Sequence, residues 1–151
     1  MKAARIRGPW NKEQIERFLH ETVIPVQLAC NGPTGFPTVA SHWFQYIDGE
    51  IYCAIQSDSH IAALLERDPR CAFEVAVQEP PYRGVRGQAL ASLDRGRGPG
   101  CLQDLIDRYL DASNTRLAQW LSSRSDNEMA LVLTPVSISS WDYEARMSRP
   151  Q

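Results

Sequence analysis

The histidines and cysteines have the widest chemical repertoire in this chain, and their spacing limits what they can do. No two of the three histidines, His20, His42 and His60, have the i,i+4 spacing that places two imidazoles on one helix face. The four cysteines form no C-x-x-C pair, and three of them sit inside apolar runs. We therefore expect no metal centre and interpret the cysteines as small buried residues of a protein in a reducing compartment.

The common catalytic and nucleotide-binding signatures are missing from the sequence. It contains no G-x-S-x-G elbow, no G-x-x-x-x-G-K-[ST] loop and no G-x-G-x-x-G turn after a strand. The segment Arg95-Gly96-Arg97-Gly98 lacks one glycine of the dinucleotide fingerprint, and we interpret it as a solvated loop. Motif chemistry alone therefore names no reaction.

Length and charge restrict the class of protein further. The 151 residues suit one domain spanning 1–151, with flexible tails expected at 1–9 and 144–151. Sixteen basic and eighteen acidic residues give a net charge of −2, which offers no general reason to bind nucleic acid. No apolar run reaches the ~18 residues of a membrane span, and Met1 to Pro9 has no signal-peptide character. We expect a cytoplasmic protein that does not contact membranes.

The elements that must position any site follow from periodicity and turn residues. Asn11 is a plausible N-cap for a helix that runs to about Glu21, and Asp48-Gly49 between two apolar runs predicts a β-hairpin. Ser57-Asp58-Ser59 supplies the cap of a second helix. The predicted strands are 23–30, 37–47, 50–56, 71–77, 84–93 and 129–136, the predicted helical segments after the first are 59–67, 102–109 and 117–121, and 95–100 is predicted to be a loop.

This order lacks the regular strand-helix alternation of a parallel sheet. We therefore predict a mainly β (α+β) protein: an antiparallel split β-barrel with peripheral helices.

Several short motifs in this order resemble one known family. They are Gly35-Phe36-Pro37, Asp48-Gly49, Ile51-Tyr52, Ser57-Asp58-Ser59, Leu65-Glu66-Arg67-Asp68-Pro69-Arg70, Gly87-Gln88-Ala89-Leu90, Leu133-Thr134-Pro135 and Trp141-Asp142. Together they span about residues 13 to 143 and look like the pyridoxamine 5′-phosphate oxidase-like family of flavin-binding split barrels.

The resemblance implies a six-stranded barrel, a homodimer and a flavin, usually FMN, in a groove at the dimer interface. It implies an FMN-dependent oxidoreductase that acts on an unidentified small molecule, with the flavin ring doing the chemistry and no catalytic side chain named. The alternatives are a protein that binds the deazaflavin F420 or haem, and a non-enzymatic dimer that only binds a flavin or another ligand.

The start of the 59–67 helix is the expected phosphate site, because free N–H groups and the positive end of the helix dipole face an anion there. Ser57 and Ser59 are donors for it, although helix capping alone would also explain them. The family commonly has lysine where this chain has Ile61. Arg83 and Arg86 are the candidate replacements, with solvated surface charges as their other interpretation.

Other candidates come from the strand Thr38 to Phe44, which lines the cofactor groove in the family. His42 is either a donor to the flavin edge or a satisfied, half-buried histidine, and His42 or His60 would be the axial ligand of a haem. Trp141 is expected to cover a ligand across the interface. The full set of candidate cofactor-binding residues is Ser41, His42, Trp43, Gln56, Ser57, Ser59, His60, Arg83, Arg86 and Trp141.

Overall fold

Strict alternation of buried and exposed residues builds the sheet of this protein, and β5 shows it most clearly. In the computed structural model, which describes residues 3–147, Ile51, Cys53 and Ile55 point into the core while Tyr52 and the other intervening residues face the opposite side. The strands are β1 (Arg5–Arg7), β2 (Val26–Asn31), β3 (Pro37–His42), β4 (Gln45–Ile47), β5 (Glu50–Gln56), β6 (Arg70–Ala76), β7 (Arg83–Asp94) and β8 (Glu128–Asp142).

Helices fill the connections between these strands. They are α1 (Lys12–Glu21), α2 (His60–Arg67), α3 (Gly98–Tyr109), α4 (Thr115–Ser123) and α5 (Glu144–Met147), with single 3-10 turns at Ala112–Asn114 and Ser125–Asn127. Among the residues 3–147, no helix is both long and apolar enough to cross a membrane.

The sheet follows the order β3-β2-β6-β7-β8-β5-β4, and every neighbouring pair in this path is antiparallel. β1 lies off the path and pairs with β8 in parallel. The sheet curls into a half-barrel, so the predicted fold class is confirmed.

The inside of the curled sheet holds the main core, with Leu28, Phe44, Ile51, Leu131 and Leu133 all inaccessible to solvent. A second, smaller core lies on the opposite side of the sheet, where α3 packs on β5 and β8. It consists of Cys101, Leu105, Ala130 and Val132. All four cysteines are buried and free, as predicted.

Most of the predicted elements are present. Asn11 and Gln14 form a capping box at the start of α1, and Asp48 and Gly49 both have positive φ, as a tight hairpin turn requires. Ser59 caps α2, because its side-chain hydroxyl accepts a hydrogen bond from the N–H of Ala62. These local signals were sufficient because each acts within a few residues.

The strand predicted over 37–47 is wrong in one respect, because it is two strands. β3 pairs with β2 and ends at His42, whereas β4 begins at Gln45 and pairs with β5. Between them, the N–H of Phe44 donates to the hydroxyl of Tyr109 on α3. A contact with a remote helix therefore replaces the sheet hydrogen bond at this point. With this division and β1, the sheet has eight strands rather than the implied six.

The loop predicted over 95–100 is also wrong, since α3 already begins at Gly98. Pro99 is in the first turn, where a proline costs the helix no hydrogen bond. Gly98 is needed for space: a Cβ there would overlap the carbonyl oxygen of Glu128. Tertiary packing rather than flexibility explains this glycine.

The last strand extends beyond the predicted 129–136 and runs to Asp142. Pro135 lies inside it at a bulge, where the partner register shifts between Gln88 and Ala89 of β7. The expected tail 1–9 contains β1, and the expected tail 144–151 contains α5. Residues 1, 2 and 148–151 lie outside the described residues.

Candidate functional site

The first turn of α2 and the segment before β8 form one polar cluster. We call it the polar corner; it consists of Gln56, Ser57, Asp58, Ser59, His60 and Asn127. Ser59 Oγ accepts from the N–H of Ala62 at 3.2 Å, and Ser57 Oγ donates to Asn127 Oδ1 at 2.5 Å. The Ser57 hydroxyl proton is therefore already used, whereas that of Ser59 is free to donate.

Gln56 links the polar corner to β8. Its Oε1 accepts from Asn127 Nδ2 at 3.0 Å, and its Nε2 donates to Glu128 Oε1 at 2.5 Å. Asn127 also donates to Asp58 Oδ1 at 3.1 Å. Both the oxygen and the nitrogen of the Gln56 side-chain amide therefore form hydrogen bonds to other residues of the protein.

A groove of about 490 Å³ lies beside the polar corner, between α3, α4 and the strands β3 and β5. We call it the helical groove. Its lining is Pro25, Ser41, His42, Trp43, Ala54, Leu102, Leu105, Leu117, Leu121 and Glu128. Its walls are therefore largely aliphatic, with one aromatic ring and one charged residue.

Trp43 is held in the groove wall by Tyr109. Their rings stack with centroids 5.1 Å apart and planes 8° from parallel. The Tyr109 hydroxyl accepts from the N–H of Phe44 and lies 2.9 Å from the carbonyl oxygen of Ile24. Because α3 anchors the indole in this way, Trp43 offers a fixed apolar face.

His42 is half-buried, and its hydrogen bonding fixes its tautomer. Nδ1 lies 2.8 Å from the carbonyl oxygen of Ser41, which can only accept, so Nδ1 carries the proton. Burial lowers the pKa of the imidazole, which favours the neutral form. Nε2 is then an acceptor, and it is buried without a hydrogen-bond partner. The sequence suggested either a donor to the flavin edge or a satisfied, half-buried histidine. His42 is half-buried as in the second interpretation, but only one of its ring nitrogens has a hydrogen-bond partner.

Glu128, the first residue of β8, was not identified from the sequence. It is 8% exposed; Oε1 accepts from Gln56, while Oε2 is buried without a partner. Burial raises the pKa of this carboxyl, although the Gln56 hydrogen bond and the charge of Arg124 act in the opposite direction. The only sequence signal is its place directly before an apolar run, which is too common to single out a site.

The thiols offer no nucleophile at neutral pH. Burial raises the pKa of Cys71 and of Cys101 to about 12, and it raises the pKa of Cys53 as well. Within residues 3–147 no group of three His, Cys, Asp or Glu side chains is arranged to hold a metal ion. Chemistry at this site therefore does not come from a thiolate.

Arg86 and Trp141 lie elsewhere, on the exposed side of the sheet away from the main core. The guanidinium of Arg86 sits 4.3 Å from the centroid of the Trp141 ring, and its Nε is 3.5 Å from Glu74 Oε2. We call this surface the outer sheet face; it consists of Gln27, Ala29, Val39, Ala72, Glu74, Arg86, Gln88, Leu90, Val136, Ser137, Ser139 and Trp141.

The structure does not bring the two arginines to the phosphate site within one protomer. Arg83 and Arg86 pair with Asp142 and Ser139 near the end of β8, whereas Gln56 pairs with Glu128 at its beginning. At ~3.3 Å per residue, the strand from Glu128 measures roughly 36 Å to Ser139 and roughly 46 Å to Asp142. Arg83 instead lies over the Phe18 ring, 5.5 Å from its centroid.

The remaining candidates are divided between the two regions. Ser41 Oγ donates to Gln27 Oε1 at 2.9 Å, which turns it toward the outer sheet face even though it also borders the groove. His60 is exposed at the first position of α2. His42, Trp43, Gln56, Ser57, Ser59 and His60 are therefore gathered at the polar corner and the groove, and Arg83, Arg86 and Trp141 are not.

Comparison with solved structures gives this architecture a precedent. A conserved hypothetical protein, Rv2991 from Mycobacterium tuberculosis, superposes with a TM-score of 0.74 at 20% identity, covering 99% of this chain and 95% of that one. A protein described as an F420 reductase gives 0.67 at 19% identity, covering 87% and 98%. A putative pyridoxamine 5′-phosphate oxidase from Listeria innocua gives 0.65 at 14% identity, covering 85% and 95%.

The chain has the split-barrel fold. The resemblance predicted from the sequence is thus confirmed for the architecture, and this split barrel is similar to pyridoxamine 5′-phosphate oxidase-like structures over most of its length. HutZ, the heme storage protein from Vibrio cholerae, shares the fold with a TM-score of 0.59 at 18% identity, covering 82% of this chain and 89% of that one. No family model matches the sequence, and no curated protein matches it.

Proposed function

We propose that this split barrel is an FMN-dependent oxidoreductase that acts on a small molecule as a homodimer. The observation that carries the proposal is the position of the first turn of α2. It lies directly beside the helical groove, and Gln56 connects the two. An anion site and an apolar wall for a ring therefore adjoin each other, as a phosphorylated flavin needs.

The first turn of α2 fits a phosphate oxygen in part. Ser59 uses the N–H of Ala62, so the N–H groups of His60 and Ile61 and the Ser59 hydroxyl are the available donors. The nearest charged side chain in the polar corner is the carboxylate of Asp58, which opposes an anion. The site therefore needs a cation from another source.

A second copy of the chain is our proposed source of that cation. The outer sheet face carries Arg86, and it also has the properties of an interface: small side chains, Ala29 and Ala72, line a hollow at its centre, while Val39 is 65%, Leu90 49% and Val136 48% exposed. Pairing of two such faces buries these side chains. In the proposed dimer, Arg83 or Arg86 of one protomer neutralises the phosphate held by the other.

The groove side of the site would hold the ring. Trp43 supplies a fixed apolar face, and the Ser41–Trp43 segment and Gln56 border the position next to α2. When bound, the flavin supplies the electron-transfer chemistry. The protein's own residues orient it and exclude water from one side of the ring.

The absorption spectrum of the purified protein tests the cofactor directly. Flavin bands near ~450 nm are expected, whereas a Soret band near ~400 nm contradicts the FMN proposal. If the spectrum is featureless, titration with FMN, riboflavin and F420 decides, and failure to bind FMN contradicts the proposal.

Substitutions then test how the phosphate is held. We expect Ser59→Ala and at least one of Arg83→Ala and Arg86→Ala to weaken FMN, the arginine change by ~1.5–3 kcal/mol or about 10- to 150-fold. Riboflavin lacks the phosphate and should be almost unaffected. Arg116→Ala, an exposed arginine on α4, is the matched control. Equal losses for FMN and riboflavin would show that a substitution acts through the fold.

One observation supports haem as a second candidate. An axial ligand must present a nitrogen lone pair, and His42 Nε2 is in the required protonation state and has no partner. For a haem protein, His42→Ala should abolish the Soret band while His60→Ala leaves it intact.

A further inference from the structure

Two hydrogen-bond acceptors in the helical groove have no partner inside the protein. They are His42 Nε2 and Glu128 Oε2, both buried, and both residues line the groove. A third buried atom without a partner, Arg108 Nε, belongs to a guanidinium that already donates to the carbonyls of Leu19, His20 and Thr22. Among the buried side chains of residues 3–147, only the pair in the groove therefore belongs to groups with half of their hydrogen-bonding capacity left over.

A buried polar atom without a partner loses the hydrogen bonds that water would give it, so two of them in one groove require an explanation. His42 Nε2 accepts because the proton of the neutral imidazole is on Nδ1, and Glu128 Oε2 accepts once its carboxyl is ionised, which burial shifts to higher pH. The molecule that satisfies them must consequently supply donors.

The remaining lining decides the charge and shape of that molecule. Glu128 is the only charged residue of the groove lining, and no lysine or arginine is part of it. An anion is therefore disfavoured and a cation favoured. Leu102 and Leu105 of α3, opposite Leu117 and Leu121 of α4, offer an apolar surface that suits a flat hydrocarbon or aromatic body.

We propose that the helical groove binds a planar aromatic molecule carrying an amidinium or amino-substituted ring, whose N–H groups pair with Glu128 Oε2 and His42 Nε2. This inference rests on the proposed function in one respect: it names the class of substrate placed beside the flavin.

Access to the two acceptors requires α4 to shift. No residue of α4 is buried, yet its Leu117 and Leu121 form one wall of the groove. The helix is thus weakly anchored compared with α3, whose Leu105 is 1% exposed. Binding is expected to move α4 and to leave α3 in place.

Benzamidine is the probe, because it combines a benzene ring with an amidinium group. Full-length protein is titrated at pH 8 by isothermal calorimetry and by NMR, with and without FMN, against benzamidine, neutral benzamide and anionic benzoate. We expect saturable benzamidine binding, benzoate at least about tenfold weaker, and shifts of the Trp43 indole N–H and of the α4 amides.

Glu128→Gln keeps the shape and the Gln56 contact but removes the charge. It should weaken benzamidine about 10- to 150-fold and benzamide far less, and His42→Leu should weaken benzamidine about 2- to 13-fold. Glu66→Gln, an exposed carboxylate on α2, is the matched control and should change nothing. Circular dichroism confirms that each variant is folded.

Leu117→Arg keeps the inference testable if Glu128→Gln does not fold. Leu117 is 42% exposed, so the fold tolerates an arginine there, and the new charge at the groove wall should weaken benzamidine and strengthen benzoate. Absence of benzamidine binding at ~10 mM, equal benzoate binding, or no effect of Glu128→Gln overturns the inference.

The FMN titration separates this inference from the proposed function. Benzamidine binding that depends on Glu128 in a protein that binds no FMN overturns the flavoenzyme and keeps the groove. FMN binding that depends on Ser59, in a protein whose groove does not discriminate benzamidine from benzoate, supports the flavoenzyme and overturns the groove inference.

Discussion

The helical groove and the outer sheet face lie on one sheet but treat polar groups in opposite ways. In the groove, the carboxylate of Glu128 is 8% exposed and keeps one oxygen without a partner. On the outer sheet face, Glu74 and Arg86 form an exposed ion pair, and Arg86 also covers Trp141. The groove therefore contains buried polar atoms without a partner, which is costly, whereas the charges of Glu74 and Arg86 are paired and solvated at little cost.

The two surfaces also differ in the elements that form them. α3, which packs on β5 and β8, and α4 contribute four leucines to the walls of a groove of about 490 Å³. On the outer sheet face, the small side chains of Ala29 and Ala72 lie in a hollow of about 500 Å³ whose lining comes from strands alone. Helices therefore form walls of the first surface, whereas the sheet alone forms the second.

The largest expected effect is on assembly, through a charge placed at the centre of the outer sheet face. Ala72→Asp should convert the proposed dimer to monomers at micromolar concentration, since twofold symmetry buries the unpaired carboxylate twice, at several kcal/mol per ion. Analytical ultracentrifugation measures the change. Ile47→Asp on β4, at the far edge of the sheet, is the control. A dimer that survives Ala72→Asp would move the interface away from this face.

The next effect concerns the junction of α3 with β8 that shapes the groove. Gly98→Ala should destabilise the fold by about 1–3 kcal/mol, because a Cβ at this position overlaps the backbone of Glu128. Gly100→Ala, two residues later in the same helix, meets nothing within 4 Å and should stabilise by about 0.5–1 kcal/mol. Urea denaturation compares the two. Equal effects would show that α3 does not pack as described.

A pH-dependent effect distinguishes Glu128 from exposed carboxylates. Burial raises the pKa of this carboxyl in the folded state. The free energy of unfolding of the natural protein should therefore fall as the pH rises through that raised pKa and the carboxyl ionises. Glu128→Gln should therefore gain stability relative to the natural protein as the pH rises above about 4.3, the ordinary pKa of glutamate. Unfolding at several pH values measures this difference. For Glu66→Gln, the difference in stability from the natural protein should not change with pH. A pH-independent difference for Glu128→Gln would mean that the Glu128 carboxylate is not buried.

The smallest effects come from two similar arginine–tryptophan pairs, one in each region. Arg86 lies 4.3 Å from the Trp141 centroid and Arg124 lies 4.7 Å from that of Trp120. Removing either cation–π contact should cost about 0.5–1 kcal/mol of stability. Under the dimer proposal, Arg124→Ala leaves FMN affinity unchanged, and Arg86→Ala weakens FMN if Arg86 rather than Arg83 is the neutralising cation. Loss of FMN affinity with Arg124→Ala instead would place the neutralising cation on the same protomer as α2.

Local residue chemistry explains why much of the fold could be predicted. The capping box at Asn11, the Asp48-Gly49 turn and the Ser59 cap depend on neighbours within four residues, so their patterns are complete in the sequence. The predicted site residues next to them, such as Gln56 and Ser57, were gathered for the same reason.

The errors arise where distant segments meet. The break after His42 depends on Tyr109, the early start of α3 depends on the backbone of Glu128, and no local pattern encodes either contact. Glu128 could not be identified from the sequence for the same reason. Arg86 lies far from α2 because the sheet order places β8 between β7 and β5.

The sequence by itself determined most of the elements, the antiparallel class of the sheet and the helix start that offers N–H groups to an anion. These depend on hydrophobic alternation, on capping and on turn residues, which act over a few positions. Only the tertiary structure decided which polar atoms stay unpaired. Burial and hydrogen-bond satisfaction are sums over everything that surrounds an atom, and the groove that holds His42 and Glu128 is lined by five separate helices and strands of the chain.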